Sequence, residues 1–547
     1  MRRSRVVAVA AGSAALLGVL WLALPPTGSD LAAQVARADF FAAHGAAPVD
    51  LRWYGGVQQY GYSLVSQPVM ALLGVRVTGA LALAGAATAL AALLVRTGVP
   101  RPLLGSLVGV LTLAGNLFSG RVTYGLGVAF GLGALLALTT GPATPAGPHA
   151  RPGRRRLGLA AAGALLASAT SPVAGLFVGL AGAALLPTRR YAEGLTLGVA
   201  AALPLGLTAL LFGDGGWMNI SRTDTVRAVV TSLLVAALVR YRPVRVGALL
   251  SAAGVLAAAL VHTPVGLNAT RLAVTFALPV LAAAAHPPAR PAWWARRDRP
   301  DPAPAGNGRG GGARAARVRG GAALAALLAA VCWWQPPVPP ADLRSVDDPT
   351  NRAAYFAPLR EFLAGQRITG RVEVPPTRNY WEAARLGEVP LARGWLRQAD
   401  IDRNPLFFTT VPGAAGTGVP LTAASYRDWL DANAVQFVAV PDAPLSWVGR
   451  AEAELVRGGL AYLTPVWSGP NWRVWAVTAP TPLVGAPAEL VAQDGASVTF
   501  RAPAAGTVPL RVRHSRWLTA SGGATVAADG DWTAVTVPRA GQYRLGS

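Results

Sequence analysis

Three carboxylates lie within one short stretch of the chain, between Pro25 and Gln67. They are Asp30, Asp39 and Asp50. A carboxylate at the edge of a nonpolar region can take the proton of a hydroxyl group as that oxygen attacks a substrate, which is general base catalysis. Asp30 comes shortly after the first apolar run of the chain. The sequence therefore makes Asp30, together with Asp39, the candidate catalytic residues.

Each of these carboxylates also has a structural alternative. Asp30 or Asp39 could cap a short interfacial helix over residues 31–43, since Asp is among the favoured residues at helix amino ends. Asp50 lies beside a turn at Pro48. The residue types alone leave the catalytic and the structural interpretations open.

Arginine side chains supply the complementary charge. Guanidinium groups bind phosphate in a bidentate way, and an arginine at a membrane edge is costly unless it is paired or used. The loops on the same side of the apolar runs as Asp30 hold Arg37, Arg52, Arg121, Arg222, Arg227 and Arg271. Arg222 and Arg271 are the stronger candidates for binding a phosphate, because each lies in a short loop at a helix end, and Arg52 and His262 are further candidates. Contact with lipid headgroups is the alternative for the arginines, and a structural role is the alternative for His262.

Apolar runs of the chain must position these residues. They read as residues 6–24, 68–95, 103–118, 124–140, 157–170, 172–186, 193–212, 225–240, 246–261, 271–285 and 320–334. Their lengths are those of full or short membrane helices. The stretch 157–186 is either two short helices broken at Thr170-Ser171-Pro172 or one long, kinked helix. The basic residues before the run 6–24, and its length, predict an uncleaved first helix, with a signal peptide as the alternative.

The basic residues sort unevenly between these runs. The chain has no lysine, so all 49 are arginines. With the amino terminus inside and 157–186 counted as two helices, the inside loops hold 22 arginines and the outside loops of this region hold 6. Basic residues of membrane proteins concentrate on the cytoplasmic side. The pattern predicts a multi-pass protein of the cell membrane with a cytoplasmic amino terminus, and it places Asp30 and everything after Trp334 on the outer side.

The net charge of +23 does not indicate nucleic-acid binding. The excess lies in the inside loops, where it would attract anionic lipids, while from residue 335 onward 20 arginines face 18 Asp and Glu. One cysteine, Cys332, excludes an intramolecular disulfide and a cysteine-based zinc site. The five histidines lack ligand spacing. No cofactor is therefore assigned, and a divalent metal is left open.

The last third of the chain has a different pattern from the apolar region, residues 1–334. Residues 335–481 alternate predicted strands and helices, which indicates an α/β domain, and residues 482–547 read as the short strands of a small β-sandwich-like module. Within the apolar region, residues 286–319 are rich in Pro, Gly and Arg and predict a disordered cytoplasmic loop. The predicted fold class is thus a mainly α-helical polytopic membrane protein with about 11 transmembrane helices and two smaller outer domains.

Several passages of the chain are similar to those of a known group. They are Asp30-Leu-Ala-Ala-Gln34, His44-Gly45, Trp53-Tyr54-Gly55, Thr170 to Phe177, Arg371 to Glu382 and Pro390 to Trp395. In this order, and with this layout of helices, they resemble the GT-C superfamily of polytopic membrane glycosyltransferases, which use polyprenyl-phosphate sugars. The last two passages look like those of mostly uncharacterised bacterial members with an extracytoplasmic C-terminal domain. The resemblance covers most of the chain at the level of layout.

This resemblance implies a function and roles for particular residues. An acidic residue of the first outer loop would be the catalytic base or a metal ligand, and Asp30 matches that position, although it stands alone where many members have two adjacent acidic residues. The reaction would transfer a sugar from a polyprenyl-phosphate donor to an envelope polysaccharide or protein, with membrane lipids around it. Trp53, Tyr54, Trp381 and Trp395 would bind the acceptor by stacking on sugar rings, with core packing as the alternative.

Two other functions stay open on the sequence alone. A transporter or lipid flippase usually places charged groups near the middle of the membrane and shows internal repeats, whereas the interiors of the predicted helices are nearly free of charge. A catalytically inactive envelope scaffold could share the layout, although so many helices exceed what anchoring requires.

Overall fold

The first part of the molecule is helical. The computed structural model describes residues 3–139, 153–213, 216–286, 309–414 and 418–547. In chain order the helices of this part are α1 (Arg3–Ala23), α2 (Leu31–His44), α3 (Ser66–Leu73), α4 (Val75–Arg96), α5 (Pro102–Phe118), α6 (Val122–Ala137), α7 (Arg154–Thr170), α8 (Pro172–Leu185), α9 (Tyr191–Phe212), α10 (Arg222–Leu238), α11 (Arg242–Leu260), α12 (Arg271–Ala284) and α13 (Arg309–Trp334).

Several of these helices have the length and composition of membrane spans. Within the described residues, five helical segments are long and apolar enough to cross a membrane: Arg3–Ala23, Val75–Arg96, Tyr191–Phe212, Arg242–Leu260 and Gly266–Ala284. Large apolar side chains such as Leu72 and Leu260 are each 83% exposed, which suits contact with lipid rather than water. The chain is a membrane protein with a mainly helical fold.

The helix boundaries follow the predicted apolar runs and settle their one ambiguity. Residues 157–186 form two helices, so the two-helix interpretation is confirmed. Ser171 lies between them in an extended conformation, its hydroxyl accepts the backbone N–H of Ala174, and Pro172 begins α8. A capping serine followed by a proline is a strong local helix start, so the break is specified by the residues themselves.

The predicted disordered loop over residues 286–319 is wrong in its last part. Arg309 begins α13, so residues 309–319 are helical. Arginine and alanine are good helix formers, and a helix extends beyond its apolar run when its polar end lies outside the nonpolar layer. The rest of the predicted loop, residues 287–308, lies outside the described residues.

Beyond α13 the chain forms a layer of strands and helices. The strands are β3 (Arg371–Glu373), β4 (Val435–Pro441), β5 (Leu463–Ser468) and β6 (Trp472–Val477), which follow the short strands β1 (Val49–Asp50) and β2 (Val57–Gln58) of the loop after α2. Their order is β3-β4-β6-β5, with β3 parallel to β4 and the other neighbours antiparallel. The helices of the layer are α14 (Pro340–Leu343), α15 (Ala357–Ala364), α16 (Glu382–Arg385), α17 (Arg397–Arg403), α18 (Ala423–Ala432) and α19 (Trp447–Arg457).

Two antiparallel sheets complete the chain. Their strands are β7 (Glu489–Gln493), β8 (Ser497–Ala502), β9 (Gly506–Arg513), β10 (Thr519–Ala520), β11 (Thr525–Asp529), β12 (Trp532–Val537) and β13 (Gly541–Gly546). They lie in the orders β10-β13-β8-β7 and β11-β12-β9. Phe500, Leu510, Val535 and Leu545 from both sheets share one buried cluster. Alternate side chains of each strand thus face a common core, as in a β-sandwich.

The loop between α2 and α3 is fixed by contacts with the terminal sheets. The backbone N–H of Leu51 donates to the carbonyl of Gly495 at 2.7 Å, and that of Arg513 donates to Gly55 at 2.8 Å. At the end of α9, the ring of Phe212 stacks on Trp517 with centroids 5.0 Å apart. The first loop is therefore fixed by the terminal sheets, and α2 packs against the other helices. Together these contacts position the residues around Asp30.

Candidate active site at Asp30

Two glycines bring the start of α2 against the turn between α5 and α6. Gly28 has a φ of 107°, and a Cβ there would lie 2.4 Å from the backbone carbon of Ser119. Gly120 has a φ of 76°, and a Cβ there would lie 2.5 Å from the backbone nitrogen of Leu31. Only glycine fits such a conformation at such a distance. The two backbones therefore touch, and Asp30 lies directly beside Arg121.

The side chain of Asp30 is an ion-pair partner and does not cap the helix. Asp30 occupies the N-cap position of α2 without a capping hydrogen bond. Its Oδ2 lies 3.1 Å from Nη2 of Arg271 and 3.4 Å from Nε of Arg121. Its Oδ1 accepts the hydroxyl of Ser29 at 3.2 Å. The capping alternative for Asp30 is therefore wrong, and the carboxylate pairs with two guanidinium groups.

Ser29 is held from the other side by residues of the α/β layer. Its backbone N–H donates to Oδ1 of Asp342 at 3.1 Å, and its carbonyl accepts the indole N–H of Trp395 at 2.9 Å. Asp342 is only 2% exposed, and this burial raises the pKa of its carboxyl group. The residue before Asp30 is therefore fixed by both of its backbone polar groups.

A polar network lies behind Asp30 on the inner face of α2. Gln34 donates to the hydroxyl of Tyr62 at 2.7 Å and accepts the hydroxyl of Thr123 at 2.5 Å. The guanidinium of Arg37 lies 4.4 Å from the ring centroid of Tyr62, a distance typical of a cation–π contact. The ring of Tyr62 in turn meets Trp395 edge to face. The network orients α2, the first loop and the α/β layer relative to one another.

All of these groups border one cavity of about 800 Å³. This central cavity lies between the helical part and the chain segment from Arg378 to Gln398. On the helical side it is lined by the apolar residues Val173, Leu176, Leu205, Phe212, Val265 and Val274. Its volume falls in the range of small-molecule sites, which are mostly apolar with a few placed polar groups. The shape and lining suit a ligand with one apolar and one polar part.

The polar lining of the central cavity is strongly basic. Its arginines are Arg37, Arg121, Arg227, Arg271, Arg378 and Arg397. Its carboxylates, among the lining residues, are Asp30 and Asp224, and the second of these accepts the hydroxyl of Ser221 at 2.6 Å. The arginines outnumber the carboxylates three to one. Such a surplus of guanidinium groups over a nonpolar floor attracts anions.

A second cavity of about 490 Å³ lies deeper, between α4, α6, α8 and α10 to α12. Its lining is almost wholly apolar and contains no carboxylate. Tyr241 and His286 also line it, but no carboxylate does, so the central cavity, which combines Asp30 with a surplus of arginines, is the candidate active site.

Three of the residues singled out from the sequence lie at this cavity. Asp30, Arg271 and Trp395 all line it. Of the other arginines considered on this side of the chain, Arg37, Arg121 and Arg227 also line it. The structure thus brings together the candidate base, a basic group and one aromatic ring, as the sequence predicts.

Asp39, Arg222 and His262 do not line the cavity, which corrects their prediction as site residues. Asp39 is exposed on α2, because nine residues are two and a half helical turns and place it on the face opposite Asp30. Arg222 is exposed in the first turn of α10, whereas Arg227 of the same helix faces the cavity. His262 is exposed and stacks on Trp217 with centroids 4.0 Å apart.

Arg52 is also a structural residue rather than a ligand-binding one. Its guanidinium forms an ion pair with Asp50 at 2.8 Å and donates to the carbonyl of Ala36. Both side chains of the pair are buried. Arg52 is buried against Asp50 and does not line the central cavity, so the structure does not bring it to the other candidate phosphate ligands.

The aromatic residues predicted to bind the acceptor also differ in position, because some are buried in the core and one lines the cavity. Trp53 and Trp381 are fully buried, and Trp381 donates its indole N–H to Asn351 at 3.0 Å. Tyr54 is buried as well and donates its hydroxyl to the carbonyl of Gly394 at 2.6 Å. These three side chains pack in the core, which was the alternative, and Trp395 alone of the four lines the cavity.

Three polar residues of the site were not singled out from the sequence. Arg378 and Arg397 line the cavity from the α/β layer, and Asp342 holds Ser29. The two arginines lie within or next to the passages 371–382 and 390–395 of the resemblance. The density of arginine and aromatic residues there was the available signal. For Asp342 no local signal exists, since it comes some 300 residues after its partner.

The residues around Asp30 do not fit a divalent metal. Such ions prefer several oxygen ligands, whereas two guanidinium groups already face Asp30 Oδ2 and would repel a cation. Among the described residues no group of three or more His, Cys, Asp or Glu could hold a metal ion.

Comparison with known proteins gives similar structures but no sequence family. No family model and no curated protein matches the chain. A cryo-EM structure of the arabinofuranosyltransferase AftD from Mycobacteria is 18% identical, with 92% of this chain and 41% of that chain covered and a TM-score of 0.44. A structure of a mutant of AftD is 15% identical, with 99% and 60% covered and a TM-score of 0.45. The chain spans roughly two to three fifths of the AftD chains it matches.

A third similar structure is ArnT from Cupriavidus metallidurans in the apo state. It is 14% identical, with 83% of this chain and 94% of that chain covered and a TM-score of 0.41.

Proposed function

We propose that this protein is a membrane glycosyltransferase that transfers a sugar from a polyprenyl-phosphate donor to a hydroxyl group of a cell-envelope acceptor on the extracytoplasmic face. The observation that carries the proposal is the position of Asp30. Its carboxylate lies in a cavity that has an apolar helical floor and a surplus of arginines. A lipid-linked sugar phosphate has this combination of a long apolar part, an anionic group and a sugar.

The residues of the cavity suggest how the donor would bind. The start of the lipid chain would lie along α8, α9 and α12, against Val173, Leu176 and Val274. Its phosphate would lie within reach of Arg271 and Arg227, since guanidinium groups bind phosphate oxygens through paired hydrogen bonds. The sugar would then lie towards Asp30 and the chain segment 378–398.

In this proposal Asp30 acts as the general base. The acceptor hydroxyl gives its proton to Asp30 as its oxygen bonds to the anomeric carbon of the sugar, and the bond from that carbon to the phosphate oxygen breaks. The departing phosphate takes the electron pair and carries an additional negative charge. Arg271 and Arg121, which already face Asp30 Oδ2, stabilise that charge as it develops.

The substitution Asp30→Asn tests this proposal. It removes the proton acceptor and keeps the size of the side chain, so we expect transfer from a radiolabelled polyprenyl-phosphate sugar in membranes to fall by a factor of roughly 100 or more. Asp39→Asn is the matched control, because it makes the same change on the same helix, outside the cavity. Equal transfer by both variants would remove Asp30 from the mechanism.

A further inference from the structure

We infer that the acceptor is an acidic sugar, bearing a carboxylate or a phosphate, and that Arg397 and Arg378 bind its negative charge. The inference rests on the proposed sugar transfer and names the class of its second substrate. Its basis is the number and position of the guanidinium groups that line the central cavity, together with the aromatic side chains between them.

The cavity has more positive charge than one lipid phosphate can use. Arg121 and Arg271 share Asp30, and a donor phosphate would occupy Arg271 and Arg227. Arg378 and Arg397 line the opposite side, on the α/β layer. A single phosphate held at the helical side does not account for a second pair of guanidinium groups across the cavity.

Among the described residues, Arg397 forms no ion pair as close as those of its neighbour Arg393. Its Nη2 donates to the hydroxyl of Tyr380 at 3.4 Å, a long and weak contact, and the carboxylate of Asp400 lies nearby. The nearby Asp400 is already engaged, because it accepts a hydrogen bond from Asn404 at 2.8 Å. A partly buried guanidinium with no direct carboxylate contact keeps donors for an anionic ligand.

Arg378 is only loosely paired. Its Nε lies 3.8 Å from Oδ2 of Asp348, and its Nη1 donates to the backbone carbonyl of Arg344 at 3.1 Å. Its side chain is 35% exposed, so part of the guanidinium faces the cavity. Arg378 and Arg397 thus present donors to the same space from one segment of the chain.

Aromatic side chains between these arginines suit a sugar ring. Tyr380 and Trp395 both line the cavity in the segment 378–398. Stacking on such rings favours sugars, while arginine selects a carboxylate or phosphate. The indole of Trp395 also donates to the carbonyl of Ser29, so a sugar in contact with Trp395 lies next to the candidate base.

The rival source of the second negative charge is the donor itself. A polyprenyl diphosphate would also present two anionic groups. Both sources share the chemistry of an anion at Arg397, and they differ in which ligand loses affinity when that arginine is changed.

Binding of small probes to the purified full-length protein in nanodiscs separates these possibilities without relying on turnover. We expect glucose 6-phosphate or glucuronate to bind at least about tenfold more tightly than methyl glucoside, because a charge-assisted hydrogen bond contributes more than a neutral one. Arg397→Gln and Arg378→Gln should each abolish that preference. Arg450→Gln, an exposed arginine of α19, is the control and should leave it unchanged.

Competition by farnesyl phosphate and farnesyl diphosphate completes the test. If Arg397 serves the acceptor, Arg397→Gln leaves the affinity of both lipids unchanged. A selective loss of farnesyl diphosphate affinity would assign the second anion to the donor and overturn the inference. Equal binding of the charged and neutral sugars by the wild type would also overturn it, whereas failure of the sugar transfer itself would appear in the Asp30→Asn assay and not here.

Discussion

The two oxygens of Asp30 have different surroundings. Oδ2 faces Arg121 and Arg271, whereas Oδ1 accepts only the hydroxyl of Ser29. One oxygen thus contacts two guanidinium groups, and the other is the one we propose to take the proton of the acceptor hydroxyl. Arg121 and Arg271 contact Asp30 and also lie at the position proposed for the phosphate. Their positive charge therefore affects both the carboxylate and the departing phosphate.

Arg271→Gln tests this sharing. The substitution removes a positive charge next to the departing phosphate and keeps hydrogen-bond donors, so we expect the turnover number to fall by a factor of roughly 100 with a smaller change in apparent donor affinity. Initial rates at varied donor concentration separate the two effects. Arg222→Gln, an exposed arginine of α10, should behave as the wild type. A change in donor affinity alone would confine Arg271 to binding.

Glu382 makes the stability of the α/β layer sensitive to pH. Burial raises the pKa of its carboxyl group from 4.5 to about 7, although Thr377 donates two hydrogen bonds to it. A raised pKa in the folded state means that the fold prefers the protonated form. The stabilisation that protonated Glu382 gives to the fold is therefore complete below the unfolded pKa of 4.5. It falls as the pH rises towards 7, and the free energy of unfolding decreases by about 3 kcal/mol in total.

Glu382→Gln removes this loss, because the amide cannot ionise. We expect the variant to melt at a higher temperature than the wild type at pH 8, and the difference to shrink as the pH approaches 5. Thermal unfolding of the full-length protein in detergent at several pH values measures it. Glu454→Gln, an exposed position on α19, should show no such trend. A pH-independent difference for Glu382→Gln would mean that its carboxyl group does not titrate in this range.

At the scale of the elements, the contact between the start of α2 and the turn after α5 sets the site. Gly120→Ala would place a Cβ 2.5 Å from the backbone of Leu31. The start of α2 must then move away from Arg121. We expect a loss of about 1–3 kcal/mol in stability and at least a tenfold loss of transfer.

Gly45→Ala is the matched control for that substitution. Gly45 also has a positive φ, of 63°, but a Cβ there meets nothing within 4 Å. It should show the stability cost of an alanine at a positive φ alone, with transfer nearly unchanged. Thermal unfolding and transfer are measured for both. Equal transfer by the two variants would contradict a role for the backbone contact.

The helices could be predicted from the sequence, whereas much of the site could not. The break at Ser171 was readable because its cap and the following proline are local. The burial of Trp53 was not, because it depends on a distant contact, Gly394. Residue type gives the chemistry that a side chain can perform, but only the packing decides whether it faces a cavity or a core.

At the scale of the whole molecule, the proposed function requires that Asp30 and the α/β layer share one side of the membrane. The single cysteine, Cys332, can be replaced by serine, and Arg155→Cys or Asp428→Cys introduced. We expect a membrane-impermeant maleimide to label residue 428 in intact cells and residue 155 only after permeabilisation. Labelling in the opposite sense would overturn the assignment of sides.

Two hydrogen bonds at the backbone of Ser29 link the helical part of the molecule to the α/β layer, directly beside Asp30. Asp342 and Trp395 reach Ser29 from beyond the last apolar helix, so the position of the base is set jointly by the bilayer-embedded bundle and the water-exposed portion. A detergent that loosens the contact between these two parts would abolish the proposed sugar transfer while every helix stays intact. Far-ultraviolet circular dichroism measures helix content, so it would not reveal whether a preparation retains the arrangement that transfer requires.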